Sequence, residues 1–534
     1  MQTHDREWLP HLEDSITQSA SITGVSLYTI ALEGWRRGLQ LEFYSDSDRG
    51  ERKRIKYTLA DGEKKHFFND SSGDLNTKQA IKICGDKGLT QHYLQKNNVP
   101  IPLGKEFNEN HSIEEMIQFA RTLTYPLVVK PVDGFGGTGV IVNIKDEKEL
   151  KDSIIHVKNK LNFNRIIIQE FIQGEEIRIY VLNNKVLAAA NRVPAHIVGD
   201  GKRTILSLIH EKNNDRMKNP NLKHRLIRLD AALNEYLEAL GYSLDTVLAK
   251  DQYLALREIS NVSLGGEPVD YTDSLTEEQI KIAESATSSV PGLVQCGVDM
   301  IINQKENRNV ILELNASPGI GTHLFPVHGK ARDIPKHVID FYFPNSKQYN
   351  KNEQLLYFDL DSVLDPLLSG QLKKVEVPNY PKHSVHTTKF IILVRNNVKD
   401  TISKLYETAQ AFNFNGYIAN TYDGHNEQIE LVINHFKEEF IEKFKNFITD
   451  LALSGKILEY KTEPYKQPIK IGFHYRKDIN SVSELEFTHR QTYREYSSLN
   501  REVQRMNKRI KKVKNSRFWK LTLPMRKLGE LFQK

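Results

Sequence analysis

Apolar positions in the first two-thirds of the chain follow two patterns, short β-branched runs and longer stretches that mix apolar and polar residues. The runs "YPLVVKPV" (125–132), "GVIVNI" (139–144) and "RIIIQEFI" (165–172) predict strands. The stretches "SLYTIALEGWRRGLQ" (26–40) and "TEEQIKIAESATSSV" (276–290) predict helices. Strands and helices that alternate in this way predict a mixed α+β fold.

Paired apolar runs predict three hairpins. "EIRIYVLNNKVLAAANRV" (176–193) carries two runs around an Asn-Asn pair, which favours a tight turn. "CGVDMIINQKENRNVILELNA" (296–316) carries two more around a polar turn. Residues 51–70 alternate more weakly and predict the third hairpin. Separately, residues 77–102 predict two short helices before a pair of prolines.

The composition changes after Pro344 and divides the chain. The stretch "NSKQYNKNEQ" is polar throughout and is typical of a linker. We therefore expect an N-terminal α/β segment (1–76), a large α+β domain (77–344), the linker (345–354), a smaller domain (355–476) and a helical tail (481–534).

Composition and charge narrow the class of protein. The chain has 534 residues, which predicts several domains, and its two cysteines exclude a disulfide framework. A reducing, cytoplasmic compartment follows from that cysteine usage. No apolar run reaches the roughly 18 residues that a membrane-spanning helix needs. The net charge is +6, and the last 45 residues are rich in Lys and Arg and nearly lack acids.

The segment "KPVDGFGGTGV" (130–140) contains a glycine-rich loop that fits G-x-G-x-x-G. A dinucleotide fingerprint must open a helix, but the next residues, "VIV", favour a strand, and no Lys-Ser/Thr pair follows, which excludes a Walker loop. The loop therefore joins two strands. Such a hairpin exposes backbone N–H groups to the β- and γ-phosphates of a nucleotide, and a plain β-turn is the alternative. The glycines of the loop are Gly134, Gly136, Gly137 and Gly139.

Charged and polar residues beside the loop strengthen the nucleotide interpretation. Lys130 ends the strand before the loop, and Lys87 lies on a predicted helix, so each offers a cation to a phosphate. The end of the next strand offers a backbone edge to an adenine, and Glu176 offers a carboxylate to the ribose hydroxyls. For Glu176 alone, a solvated strand end is the alternative. The adenine edge is formed by Gln169, Glu170 and Ile172.

The second large hairpin carries a predicted metal site. Asp299 lies on one strand, and Glu313 and Asn315 lie two residues apart on the other, so their side chains share a face. Two carboxylates and an amide oxygen are the ligands that Mg²⁺ prefers, with phosphate oxygens and waters completing the shell. A polar outer face is the alternative, but "VILELN" is otherwise apolar and two uncompensated carboxylates would repel each other.

These motifs together resemble the ATP-grasp carboxylate–amine ligases. Lys87, "YPLVVKPVDGFGGTGV", "IIIQEFIQGEEIRIYV" and "VILELNASPGIGTHLFP" occur in the order of that family. The stretches 191–216 and 256–273 resemble the ATP-grasp domain of cyanophycin synthetase and of the bifunctional glutathione synthetases. The similarity covers residues 77–344 and is specific for the fold and for ATP, but not for the substrate.

The resemblance implies a two-step reaction. A substrate carboxylate attacks the γ-phosphate of ATP to give an acyl phosphate and ADP, and an amine then displaces phosphate to form an amide. It implies that Lys87 and Lys130 bind the α- and β-phosphates. The metal site would hold two Mg²⁺ ions, with Mn²⁺ as an alternative. The resemblance also implies that Arg178, Arg192 and Arg257 bind the transferring phosphoryl group or the substrate carboxylate. The implied lining of the acceptor pocket is Ser317, Gly319 and His323.

The segment after the linker predicts a second fold. Residues 389–436 read as strand, helix, strand, strand, and with the next helix and "PIKIGFHYR" (468–476) they give the βαββαβ order of a ferredoxin-like sandwich. "NGYIANTYDGHNEQIELVI" resembles the acylphosphatase family, and Asn420 matches its catalytic Asn. Asp400 stands near the position of that family's phosphate-binding Arg, so we expect a non-catalytic or substrate-guiding module. Hydrolysis of a stray acyl phosphate is the alternative.

The tail is predicted to bind a partner or a surface and to take no part in catalysis. Apolar residues spaced by three and four predict a short coiled coil, which would support a homo-oligomer. The basic, Trp- and Leu-containing end suits an anionic membrane surface or a partner groove, with a solvated helix as the alternative. No nucleic-acid recognition motif is present. The coiled-coil positions are Tyr496, Leu499, Val503, Met506, Ile510 and Val513.

The sequence thus predicts an ATP-dependent ligase that acts on an amino acid, a peptide or an amino-acid polymer. The tail resembles the C-terminal tails of some glycosyltransferases that build bacterial cell-surface polysaccharide, and this resemblance implies a role in a cell-surface polymer at the inner face of the membrane. A non-catalytic ATP-grasp scaffold is the competing interpretation, and a ligase that joins an amino acid to a sugar acid is a third.

Overall fold

The computed structural model describes most of the chain as two compact units. The larger unit lies within residues 1–384 and 466–471, and the smaller unit lies within 385–465 and 472–534. The predicted coiled coil and basic tail lie outside the described residues. The described ranges are 6–46, 54–134, 138–257, 260–346, 348–349, 355–381, 385–394, 397–422 and 427–476.

An N-terminal segment of the larger unit packs a buried helix against a five-stranded sheet. Every residue of the helix α3 is buried, with Tyr28 and Trp35 fully inside. Strand order is β19-β2-β3-β4-β5, so the hairpin predicted in residues 51–70 is confirmed as β3 and β4. The elements are β1 (Arg6–Glu7), α1 (Pro10–Glu13), α2 (Gln18–Thr23), α3 (Val25–Arg36), β2 (Gln40–Asp46), β3 (Arg54–Ala60), β4 (Lys65–Asn69) and β5 (Ser72–Gly73).

The next part of the chain forms a four-stranded antiparallel sheet in the order β6-β9-β7-β8. Leu127 on β7 pairs with Ile144 on β8, which confirms that the glycine-rich loop joins two strands. Helix starts follow the capping rules, since Thr77, Asp86 and Ser112 each accept a backbone N–H in the first turn. The elements are α4 (Lys78–Cys84), α5 (Lys87–Lys96), β6 (Gly104–Phe107), α6 (Ile113–Ala120), β7 (Leu127–Pro131), β8 (Ile141–Ile144), α7 (Glu147–Ile155) and β9 (Ile166–Glu170).

A second five-stranded sheet, β14-β11-β10-β15-β16, follows. Both predicted hairpins are confirmed: β10 with β11, where Asn183 and Asn184 have positive φ, and β15 with β16. Apolar residues of β10, β15 and β16 pack against α4 and α10 in one core. The elements are β10 (Glu175–Leu182), β11 (Lys185–Val193), β12 (His196–Val198), α8 (Ile205–Lys218), α9 (Ala231–Ala239), β13 (Tyr253–Ala255), β14 (Glu267–Asp270), α10 (Glu277–Ser288), β15 (Gln295–Asn303), β16 (Arg308–Asn315), α11 (Gly321–Leu324), β17 (Gly329–Lys330) and α12 (Ile334–Tyr342).

Residues 355–381 belong to the larger unit and differ from the predicted start of the smaller domain. Strand β19 pairs with β2 of the N-terminal sheet, and β18 pairs with β24, so backbone hydrogen bonds hold this segment there. Composition alone does not reveal such strand pairing. The elements are β18 (Leu356–Tyr357), α13 (Leu360–Ser369), β19 (Lys374–Val377) and β24 (Ile469–Lys470).

The smaller unit is a sheet in the order β23-β20-β22-β21-β25 with two helices. Its last core strand is β23, whereas the sequence analysis assigned that place to "PIKIGFHYR". That stretch instead forms β24 in the larger unit and β25, which pairs in parallel with β21 at the edge. The misassignment arose because β23 is mostly exposed and charged. The elements are β20 (His386–Val394), α14 (Val398–Ala411), β21 (Asn415–Tyr422), β22 (Glu427–His435), α15 (Glu438–Leu453), β23 (Ile457–Glu463) and β25 (Phe473–Arg476).

Candidate functional site

Asp299 and Glu313 face each other on the hairpin of β15 and β16, at one edge of the second five-stranded sheet. They are register partners on β15 and β16, and the ladder shifts just beyond them, between Asp299 and Met300. Such a bulge is common beside functional sites because it redirects side chains. The two carboxyl groups influence each other: burial, and then the negative charge of Asp299, raise the pKa of Glu313 above its ordinary value.

Two arginines compensate the charge of these acids. Arg178 on β10 is the register partner of Asp299, and its Nη2 donates to Asp299 Oδ2 at 2.8 Å. Arg192 on β11 donates to Glu176 at 2.6 Å and to Asp299 at 3.4 Å. Burial acts to raise the pKa of Asp299, but the two guanidinium groups outweigh it and leave that pKa below its usual range. Neighbouring strands thus form a buried network of alternating charge.

Two lysines approach the same acids from other elements. Lys87, the first residue of α5, lies with its Nζ 3.8 Å from Glu313 Oε2 and donates to the carbonyl of Gly134 at 2.8 Å. Lys130 on β7 is buried, and burial lowers its pKa to about 8. Gly139 has φ +76, a left-handed conformation that favours glycine. Gly136 and Gly137 lie outside the described residues.

A cavity of about 550 Å³ connects these groups. Its volume is within the range of small-molecule sites. The cavity is lined by the N-terminal segment, the four-stranded sheet and the second five-stranded sheet, and polar or charged side chains form much of its lining. Predicted site residues that line it are Lys87, Lys130, Gly134, Glu176, Arg178, Arg192, Asp299, Glu313, Asn315 and Gly319.

The donor set of this cavity fits a magnesium–nucleotide complex. Asp299, Glu313 and Asn315 all line it, and a cation bound there would offset the repulsion between the two facing carboxylates. Among the residues described, no three side chains of His, Cys, Asp or Glu come together as a metal-binding group. A bound Mg²⁺ would therefore take the amide oxygen of Asn315, phosphate oxygens and waters for the rest of its shell.

The residues predicted to contact the base lie outside the lining of the cavity. The side-chain oxygen of Gln169 accepts from Gln91 at 3.1 Å. Glu170 forms a salt bridge with Arg308 and accepts the N–H of Leu103, so its carboxylate is occupied. Ile172 is buried in a small apolar cluster. Their backbone contact with an adenine stays a prediction.

Three other predicted site residues, Arg257, Ser317 and Gly319, do not lie together. Arg257 forms a salt bridge with Asp230 at 2.6 Å and does not line the cavity, so it does not join Arg178 and Arg192. Ser317 lines only the adjoining cavity. Gly319 lines the main one.

His323 is 3% exposed, and neither ring nitrogen has a hydrogen-bond partner among the residues described. Burial, and then the charge of Arg178, lower its pKa to about 3, so the imidazole is neutral. His323 does not line either cavity, so its contact with a substrate stays a prediction.

The cavity lining includes polar residues that sequence reasoning missed. Asp70 comes from the turn between β4 and β5, and Asn221 and Arg225 come from the loop after α8. Ser260 and Asn261 also line the cavity. These residues lie in segments without apolar periodicity. The cluster of Asn and basic residues in "NPNLKHRLIR" was the signal available in the sequence.

A second cavity, of about 590 Å³, adjoins the first. The N-terminal sheet lines it through residues such as Tyr44, Phe67 and Phe68. It shares Lys87, Gly134, Glu313 and Asn315 with the first cavity. Glu313 is therefore reachable from two sides.

Comparison with known proteins finds relatives of the part of the chain that carries this cavity. Residues 84–320 match the family model described as an ATP-grasp domain. Cyanophycin synthetase of Synechocystis sp. is 32% identical over 273 residues, 50% of this chain and 31% of that protein. The glutathione biosynthesis bifunctional protein of Clostridium perfringens is 29% identical over 295 residues, 54% of this chain and 37% of that protein. The crystal structure of a bifunctional glutathione synthetase from Pasteurella multocida, 23% identical, covers 62% of this chain and 45% of its own with a TM-score of 0.46. The chain thus spans 31% to 37% of the length of these two curated relatives.

Proposed function

We propose that this chain is an ATP-dependent ligase that joins a carboxylate to an amine, because residues 84–320 match the family model of the ATP-grasp domain. One observation carries the proposal: Asp299 and Glu313 face each other in a cavity that also presents Lys87 and Lys130. Paired carboxylates beside lysines are suited to a metal-bound polyphosphate and not to an apolar ligand.

The proposed reaction needs no protein nucleophile. A substrate carboxylate oxygen attacks the γ-phosphorus of ATP, a new O–P bond forms, and ADP leaves as the bond to its β-phosphate breaks. The amine then attacks the acyl carbon, loses a proton and expels inorganic phosphate. Lys87, Lys130 and Arg192 would neutralise the charge of the phosphates, which is catalysis by position and electrostatics.

Glu313 and Asn315, with Asp299 behind them, would hold one or two Mg²⁺ ions. When bound, Mg²⁺ supplies charge neutralisation between the β- and γ-phosphates. Arg178 keeps Asp299 ionised and fixed in orientation through its paired hydrogen bonds. Gly134 and Gly139 would carry the loop over the phosphates.

The substrates belong to the amino-acid class in this proposal. The names of the two curated relatives refer to cyanophycin and to glutathione, which supports an amino acid, a peptide or an amino-acid polymer as the acid. We also propose that the polymer belongs to the cell surface and that the basic tail contacts a membrane or a protein partner. The structure contains no helix that could cross a bilayer within its described ranges.

ADP release in the presence of Mg²⁺ and a panel of amino acids and short peptides tests the proposal. A ligase releases ADP only when an acid and an amine are both present, and mass spectrometry then finds a product lighter than the two substrates by one water. Addition of EDTA should stop the reaction. ATP binding without turnover for every acid–amine pair would instead support a scaffold.

A further inference from the structure

A second polar group lines the main cavity, apart from the acids and lysines of the phosphate site. It consists of Asp70, Asn221, Arg225 and Thr322, and we call it the Arg225 group. Asp70 belongs to the N-terminal segment, and Asn221 and Arg225 belong to the loop that follows α8. The same cavity therefore joins this group to Glu313 and Lys87.

The amide of Asn221 is built into the fold with a free donor. Asn221 is 3% exposed, and its Oδ1 accepts from Arg225 Nη1 at 2.6 Å. Because a guanidinium only donates, the amide oxygen must face Arg225 and the NH₂ group must face away. That Nδ2 has no hydrogen-bond partner within the described part of the chain, and Thr322 Oγ1 has none either. Leaving a buried donor unpaired costs about 1–3 kcal/mol, so a ligand acceptor is expected.

Close packing holds this donor in place. Any side chain at Gly321 would put its Cβ 2.3 Å from Asn221 Oδ1, so only glycine fits there. The backbone carbonyl of Arg225 accepts from the buried Arg216 at 2.6 Å, which fixes the loop. The site is therefore preformed.

Arg225 and Asp70 give the group opposite charges. Asn221 is the one hydrogen-bond partner of the Arg225 guanidinium among the residues described, and a guanidinium carries five N–H donors. Asp70 lines the same cavity as Arg225, and its carboxylate raises the pKa of Arg225 against the larger lowering effect of burial. One cavity wall thus offers spare donors beside one carboxylate.

From this juxtaposition we infer that the Arg225 group binds an α-amino acid, the substrate that supplies the amine. Arg225, Asn221 and Thr322 hold its carboxylate, and Asp70 holds its ammonium group. The inference rests on the proposed ligase function, since it places the amine donor in the cavity that would hold the nucleotide. The inference therefore predicts that amines without a carboxylate are poor substrates for the second step.

The test compares two nucleophiles in the same enzyme. An amino acid carries the carboxylate that Arg225 would bind, whereas hydroxylamine does not and still traps an acyl phosphate as a hydroxamate. For R225Q, we expect kcat/KM for the amino acid to fall about 100-fold and the rate with hydroxylamine to change less than about threefold. The matched control is R228Q, which removes an exposed arginine three residues away and should change neither rate.

N221D is the second variant and keeps the side-chain shape. It retains an acceptor for Arg225 but replaces the free donor by a carboxylate oxygen, so amino-acid affinity should fall about tenfold or more. For wild type, the α-amide of the best amino acid should be a poorer acceptor than the acid by a similar factor. Equal use of acid and amide, or equal loss of both nucleophiles in R225Q, would overturn the inference.

Calorimetric titration of the same amino acids separates the two proposals. If no acid–amine pair turns over but R225Q abolishes amino-acid binding, the ligase proposal fails and the site stands. If R225Q and N221D bind the amino acid as wild type does, the site is wrong whatever the turnover.

Discussion

Arg178 and Asp299 are register partners on adjacent strands, and the guanidinium holds both oxygens of the buried carboxylate. Removing the cation in R178Q leaves Asp299 beside Glu313 with less compensation. We expect a loss of about 3 kcal/mol in the free energy of unfolding, measured with urea. R121Q breaks an exposed pair with Glu147 and should cause no measurable loss. Equal effects of the two variants would show that the buried network does not stabilise the fold.

Glu313 is predicted to be essential for phosphoryl transfer. E313Q keeps the volume of the side chain but removes a negative ligand, so ADP release should fall at least about 100-fold while the melting temperature stays close to wild type. The control E306Q changes an exposed acid in the turn of the same hairpin and should be neutral. Near-normal turnover in E313Q would refute the assignment of the metal site.

Gly139 is predicted to matter for the nucleotide loop. Its φ is +76, and a Cβ there would lie 2.8 Å from Pro131 Cγ. G139A should therefore displace the loop and raise the KM for ATP about tenfold. Gly62 has φ +94 with open space around it, so G62A carries the same backbone strain away from the site and should leave that KM unchanged. A normal KM in G139A would mean that the loop does not contact ATP.

The buried His323 is expected to make the stability of the protein depend on pH. Its folded pKa of about 3 lies below the ordinary value near 6.5, so the unfolded chain binds more protons between these pH values. Stability should therefore fall as the pH drops below 6.5, by up to about 1.4 kcal/mol per unit. In H323L, the free energy of unfolding measured with urea at pH 7, 6 and 5 should lack this part of the pH dependence. H210L replaces an exposed histidine and should keep it; identical slopes for all three proteins would contradict the prediction.

Local sequence patterns were sufficient for the elements that carry the acids. The apolar runs on either side of "QKENRN" predicted the hairpin of β15 and β16, and a period of two put Glu313 and Asn315 on one face. Pairing across two strands then brought Asp299 opposite Glu313. The bulge beside Asp299 could not be predicted, because the ladder shift depends on packing around it.

Residues that long-range contacts bring together were missed or misplaced. Asn221 and Arg225 reach the cavity only because buried hydrogen bonds from Arg216 hold an irregular loop there. Arg257 sits in a segment that resembles the family, yet it pairs with Asp230, the N-cap of α9. Sequence spacing carries no information about these contacts.

The pairing of β18 with β24 has a practical consequence for anyone who wishes to study the larger unit alone. Leu356 and Tyr357 take their strand partners from Ile469 and Lys470, which come after the smaller unit in the chain. A stop codon at residue 385 would remove β24 and leave β18 without its partner strand. An internal deletion that splices a short Gly-Ser bridge in place of residues 385–465 would retain it, and is the better route to a minimal protein.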